Sequence, residues 1–176
     1  MEETLNQNFD MYVLNPCTNE QAIEICKISE ESTKKIIDVA AVNSPTQVTI
    51  SGEQSSIEKA IEIAKSLGIR RPLKLQVGGP FHSRLMVPSA EKMRTFLEEI
   101  KWKEPKIPVI SNVSAKPFTI EDIPKLLKEQ IHSTVKFYQS MEYCRSSYGD
   151  PEIIELGPKP TLINLNKFSK TKFYGN

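Results

Sequence analysis

The chain has 176 residues, of which 39% are hydrophobic, enough to bury a core in one domain or two small lobes. Its 23 Lys and Arg nearly cancel 22 Asp and Glu, so the summed field gives no reason to expect nucleic acid or an anionic membrane as partner. No apolar run approaches the roughly 20 residues that span a bilayer, and the odd, widely spaced Cys17, Cys26 and Cys144 fit a reducing, cytoplasmic setting without a disulfide framework.

In chain order, "MYVLNP" (11 to 16) predicts a strand stopped by Asn15 and Pro16. Ala22, Ile23, Ile25, Cys26 and Ile28 then recur at helical spacing behind a polar cap at Thr18 or Asn19. "KKIIDVAAVNSP" (34 to 45) and "TQVTISG" (46 to 52) read as two strands close enough to form a hairpin. Ile57, Ala60, Ile61, Ala64 and Leu67 make one apolar stripe over 54 to 68, ended by Gly68 at the position of a left-handed C′ residue. "RRPLKLQV" (70 to 77) alternates Leu73, Leu75 and Val77 and predicts another strand. The order β-α-β-β-α-β is the split βαβ pattern of a ferredoxin-like lobe, here residues 9–78. Topology alone assigns no function.

The second half reads differently. Pro88 opens a helix over 88 to 100 with Ala90, Met93, Phe96, Leu97 and Ile100 as its stripe. A short strand is predicted at 106 to 113, helices at 120 to 131 and 135 to 147, a strand at 152 to 160 and a last helix over "TLINLNKF". Two strands are few for an α/β layer and leave bare edges, which are prone to aggregate. The tail "KFSKTKF" reads as a solvated basic end, with contact to an acidic or phosphate-bearing partner as the alternative.

Between the halves lies "GGPFHSRLM" (78 to 86), where two glycines and a proline deliver His82 from the end of a strand. Ser83 beside it reads as a turn or helix-entry residue, because it lacks the strand-to-helix elbow that exposes a nucleophilic hydroxyl. His132, the only other histidine, falls at a helix end. No Cys or His pair has the spacing of metal ligands, so neither a metal nor a cofactor is expected.

"VNSPTQVTISG", "GGPFHSRLM", "IPVISNVSAKPF", "LLKEQI" and "IIELGPKPTL", in this order and at these separations, resemble the malonyl-CoA:acyl carrier protein transacylases and the acyltransferase domains of polyketide and fatty acid synthases. The likeness runs from about residue 11 to 168. It implies an α/β fold in which the ferredoxin-like lobe is joined to the C-terminal part of an α/β-hydrolase-like acyltransferase lobe, residues 79–170. It further implies transfer of a malonyl group from malonyl-CoA to the phosphopantetheine thiol of an acyl carrier protein, through an acyl-serine. His82 matches the family's general base, which must take the hydroxyl proton because a serine is a weak nucleophile near neutral pH. An ordinary pKa of about 6.5 suits it to act as base and then as acid.

The resemblance assigns orientation of that imidazole to the backbone carbonyl of Gln130, although "LLKEQI" also reads as a helix with a solvated glutamine. Asn43 is either a turn former or a substrate contact. Phe81 matches malonyl-selective relatives, in which a ring limits room for an α-methyl branch, or else it merely packs. Lys159 and Thr134 replace residues common in relatives and put local loop geometry in doubt. No Gly-x-Ser-x-Gly elbow occurs in the sequence, nor does the arginine that pairs with the malonyl carboxylate. The expectation is therefore a C-terminal portion, inactive alone, whose partners are malonyl-CoA, an acyl carrier protein and the missing N-terminal half. The alternative is a non-catalytic fragment or relict that binds a carrier protein. RNA binding by the ferredoxin-like lobe would need aromatics that "KIIDVAAV" and "RRPLKLQV" lack.

Overall fold

The computed structural model describes residues 8–149, 151–165 and 171–174. It is an α/β chain whose main sheet is small and antiparallel. Strand β1 (Phe9–Leu14) leads through Asn15 and cis-Pro16 to helix α1 (Asn19–Thr33). That helix starts where the sequence predicts, because the Thr18 hydroxyl accepts from Gln21 N at 3.3 Å and Gln21 Oε1 accepts from Thr18 N at 2.9 Å, a reciprocal capping box. Strands β2 (Ile37–Ser44) and β3 (Gln47–Glu53) form the expected hairpin, followed by α2 (Gln54–Ser66) and β4 (Leu73–Lys74). Gly68 has φ +88°, so the glycine supplies the left-handed residue that ends α2.

The sheet order is β2-β3-β1-β4, with β1 antiparallel to both β3 and β4. Leu14, Ile37, Val48 and Ile50 from the strands meet Ala22 and Ile25 of α1 and Ile57, Ala60 and Ala64 of α2 in one buried core. Gly52 is required at the β2–β3 seam, since a Cβ there would lie 2.5 Å from the Ile36 carbonyl oxygen. β4 is much shorter than the strand expected over 70 to 77. It pairs only Leu73 with Val13 and Lys74 with Tyr12, followed by a hydrogen bond from Leu75 N to Met11 O at 2.9 Å. Leu73 is exposed, so alternation in this stretch did not mark a buried face.

Beyond it a short 3-10 turn (Arg84–Met86) runs into α3 (Val87–Glu99), which packs on α4 (Ile123–Gln130). Helix α5 (Phe137–Tyr148) lies against β2. The strand expected at 106 to 113 does not form. Ile110 makes an isolated bridge to Pro117, and Ser111 N donates to Lys116 O at 2.9 Å while Ala115 turns the chain at φ 56°. The segment thus pairs with its own return, and among the described residues no neighbouring strand engages it.

β5 (Ile153–Leu156), ended by Gly157 and Pro158, pairs in parallel with β6 (Thr171–Tyr174), a strand that the sequence reading placed in a solvated tail. Residues 161–165 are bends and turns, not the start of a helix, and the remainder of the helix expected to 168 lies outside the described residues. Here Glu155 accepts from the backbone N of Thr161, Leu162 and Ile163, each at 2.9 Å. Three main-chain donors hold its carboxyl below the usual carboxylate range, and the carboxylate in turn caps the bend. No described helix is long and apolar enough to cross a membrane.

Candidate active site

The site begins with a backbone anomaly. His82 sits at φ 58°, in the left-handed region that non-glycine residues enter at a cost of about 1 to 2 kcal/mol. Several contacts hold it there. The fully buried Ser83 donates its hydroxyl to Pro80 O at 2.6 Å, which closes the turn from within and bears out its reading as a turn residue. His82 N donates to Ile131 O at 3.2 Å.

That geometry brings His82 Nδ1 to 2.9 Å from the carbonyl oxygen of Gln130, at the C-terminal end of α4. A carbonyl only accepts, so Nδ1 carries the proton and the lone pair resides on Nε2. Burial pushes the His82 pKa below its ordinary value, while main-chain hydrogen bonding at Gln130 and Ser133 pulls the other way. A neutral imidazole with an available Nε2 lone pair can accept a proton from a hydroxyl or thiol. The contact is made by the main-chain carbonyl of Gln130, in the last turn of α4, where a helix leaves carbonyls without an intrahelical donor.

Both partners hang on one strand. Beyond Gln130 the chain docks along β2: Val135 N donates to Ala40 O at 2.9 Å, Val42 N to Val135 O at 2.9 Å and the Thr134 hydroxyl to Val39 O at 2.7 Å. Thr134, one of the two departures from residues common in relatives, therefore ties this segment to the strand through its hydroxyl. On the other side, Arg84 N and Nε reach the two carboxylate oxygens of Asp38 on β2 at 2.8 Å each.

Phe81 is half-buried with its ring over Gly79, where a Cβ would meet Cζ at 3.1 Å. Glycine at 79 thereby fixes where the ring lies beside His82. Asn43 belongs to β2 and not to the turn, which Pro45 and Thr46 make; its Nδ2 donates to Thr49 Oγ1 at 3.0 Å. It is adjacent to Val42, the last residue tied to the segment after Gln130. His132 lies two residues past the end of α4, with its N bonded to Glu129 O at 3.1 Å. Burial pushes the Cys17 thiol up to about 11 and the Cys26 thiol up to about 12, so neither offers a thiolate near neutral pH. Among the described residues no group of three or more His, Cys, Asp or Glu side chains could hold a metal ion.

Sequence reasoning paired His82 with Gln130 only through the family likeness, and it missed Asp38, Glu30 and Arg84 altogether. The single signal they leave is an arginine two residues after the histidine; their partners stand 46 and 54 positions away.

The model of the acyl transferase domain matches residues 13–169. The malonyl CoA-acyl carrier protein transacylase of Bacillus subtilis (strain 168) is 41% identical over 142 residues, covering 80% of this chain and 44% of that protein. The malonyl CoA-acyl carrier protein transacylase of Clostridium perfringens superposes with a TM-score of 0.90 at 33% identity, covering 100% of this chain and 56% of that one. A malonyl-transacylase solved in complex with its type II PKS acyl-carrier protein gives a TM-score of 0.92 at 29% identity, covering 99% and 58%. The chain spans about half the length of the curated relatives it matches. With a family match over most of its length and a histidine poised on a main-chain carbonyl, the chain belongs to the acyl transferase domain family.

Proposed function

We propose that this chain is the C-terminal portion of an enzyme that moves a malonyl group from malonyl-CoA to the phosphopantetheine thiol of an acyl carrier protein. The observation that carries the reading is His82 Nδ1 held 2.9 Å from the Gln130 carbonyl out of a left-handed backbone, which leaves Nε2 as the base. The relatives named above act in malonyl transfer, and one was solved with its carrier protein. The sequence contains no Gly-x-Ser-x-Gly elbow, so the nucleophilic serine is assigned to a segment outside these 176 residues.

In this reading His82 Nε2 takes the serine proton as the oxygen attacks the thioester carbonyl. The C–S bond breaks, and the imidazolium gives its proton to the departing coenzyme A thiolate. The second half reverses the roles: His82 deprotonates the phosphopantetheine thiol, sulfur attacks the acyl-serine ester, and the serine oxygen recovers the proton. No metal or cofactor enters either step.

The four-stranded order β2-β3-β1-β4, with α1 and α2 packed together, supports assignment of residues 9–78 to a ferredoxin-like lobe. Residues 79–170 are then part of an α/β-hydrolase-like lobe completed by the other half, in a cytoplasmic enzyme. Asn43 lines the cleft from the first lobe. Phe81 narrows it against an α-methyl branch, and replacing the ring by Phe81→Ala is expected to shift the methylmalonyl-to-malonyl ratio of kcat/KM upward by about 10-fold or more. An unchanged ratio leaves Phe81 as packing alone.

The test is reconstitution. The 176-residue chain alone should transfer no malonyl group, co-expression with a complementary N-terminal half should restore transfer, and His82→Ala in that assembly should lower kcat/KM by about 10² to 10⁴-fold. Restored transfer that survives His82→Ala overturns the assignment of the base.

A further inference from the structure

Arg84 lies two residues beyond His82 and is fastened from the opposite side of the turn. Its main-chain N donates to Asp38 Oδ2 at 2.8 Å and its Nε to Asp38 Oδ1 at 2.8 Å, so one carboxylate grips both backbone and side chain. Nη2 continues to Glu30 Oε2 at 2.5 Å and to Ile37 O at 3.3 Å. Glu30 belongs to α1 and Asp38 to β2, elements whose neighbouring residues form the buried core.

Half of the Arg84 side chain is exposed, and an exposed ion pair by itself adds little to stability. This pair differs in what it holds. A left-handed histidine relaxes toward ordinary backbone unless both flanks are fixed. Directly after His82, Ser83 closes back onto Pro80 and ties the two flanks together; the next side-chain anchor is Arg84 on Asp38. The Gln130 carbonyl is indexed to the same strand, through Val135 and Thr134 on residues 39 to 42. β2 therefore sets the spacing of the two groups, one from Asp38 and the other from the residues that follow it.

We propose that Asp38 is a positioning residue for His82: acting through Arg84, with Glu30 as second anchor, it holds the turn that keeps Nδ1 on the Gln130 carbonyl. The clamp deepens the reading of His82 as the base and rests on it for its catalytic meaning, but its geometric content stands apart. An imidazole held against a carbonyl shows one tautomer, whereas an unconstrained neutral imidazole populates both.

The chain has only two histidines, so long-range ¹H–¹⁵N correlations of the labelled 176-residue protein resolve His82, with His132 as internal reference. Wild type should show the Nδ1–H tautomer. Asp38→Ala removes both contacts and should lower the ratio of Nδ1–H to Nε2–H several-fold; Arg84→Ala keeps the main-chain contact and should fall between them. Asp38→Asn keeps one accepting oxygen but sets its NH2 against the other Arg84 N–H, so its ratio should also fall between wild type and Asp38→Ala.

A folded Asp38→Ala protein with the wild-type tautomer overturns the proposal, since a purely structural role would lower stability and leave the imidazole unmoved. Should Asp38→Ala not fold, Arg84→Ala decides in the same way, because it removes an exposed side chain. Transfer that survives His82→Ala would defeat the catalytic reading and leave the tautomer result standing, so the two failures are distinguishable.

Discussion

The two halves of the molecule treat apolar side chains in opposite ways. Up to Ile69 the strands and helices send Leu14, Ile25, Ile37, Val48, Ile50 and Ile57 into one core with almost no solvent contact. After Leu75 the buried apolar residues, such as Met86, Leu97 and Ile123, are few and lie outside that core, while Val77, Met93, Phe96, Ile100, Ile107, Val109, Ile154 and Leu156 face solvent. The first region completes its own packing. The second leaves large apolar side chains on its surface.

The sharpest way to break this contrast is to cut the core of the first region. Ile50 is fully buried between β1 and β2 against both helices, so Ile50→Ala should lose about 2 to 5 kcal/mol in urea unfolding. Because α5 and the segment after Gln130 are hung on β2, the loss should appear in probes of both halves. A loss confined to the first would show that the second folds independently of β2.

What could be read beforehand follows the same division. In the first region the apolar period, the Thr18 cap and the Gly68 stop agree with one another, and each element exists near its expected bounds. Only β4 shrank: Pro72 lacks a donor, and the pairing residues are confined to Leu73 and Lys74. In the second, "KIPVISNV" has a strand's composition but among the described residues no strand beside it, and pairing partners are not written in a strand's own sequence. β6 was hidden for the converse reason, since polar residues in "TKFY" masked a strand made by its partner β5. At the site, His82 was legible through the motif around it. The carbonyl that orients it carries no side-chain signature, and Asp38 reaches Arg84 by folding alone.

Acidity probes the seam where the halves meet. Burial holds the folded-state pKa of His82 below its ordinary value, against the opposing pull of the Gln130 and Ser133 main chain. Between the unfolded value of about 6.5 and the lower folded one, the unfolded chain binds more protons. Stability from this group is thus fully present above about pH 6.5 and is lost as pH falls through the folded pKa. His82→Gln should flatten that part of the pH dependence of the urea midpoint. Parallel curves for the two proteins would place the imidazole outside the cooperative unit.

The smallest effect in the chain itself is expected where the second region is least covered. Parallel strands are ordinarily buried on both faces, yet β5 presents Ile154 and Leu156 to solvent, Leu156 at 78% exposure. An exposed side chain touches little that a substitution can remove, so Leu156→Ser should change the unfolding free energy of the 176-residue chain by no more than about 0.5 kcal/mol. The proposed complementary half reverses that expectation. If it covers β5, the leucine becomes buried and its removal costs about 1.5 to 3 kcal/mol of association, which is roughly tenfold in affinity for each 1.4 kcal/mol. The measurement is a pair of titrations of the complementary half against wild type and Leu156→Ser. Equal affinities would mean that this face is bare in the assembled enzyme too, and the contrast between the halves would then belong to the fold itself and not to an interface.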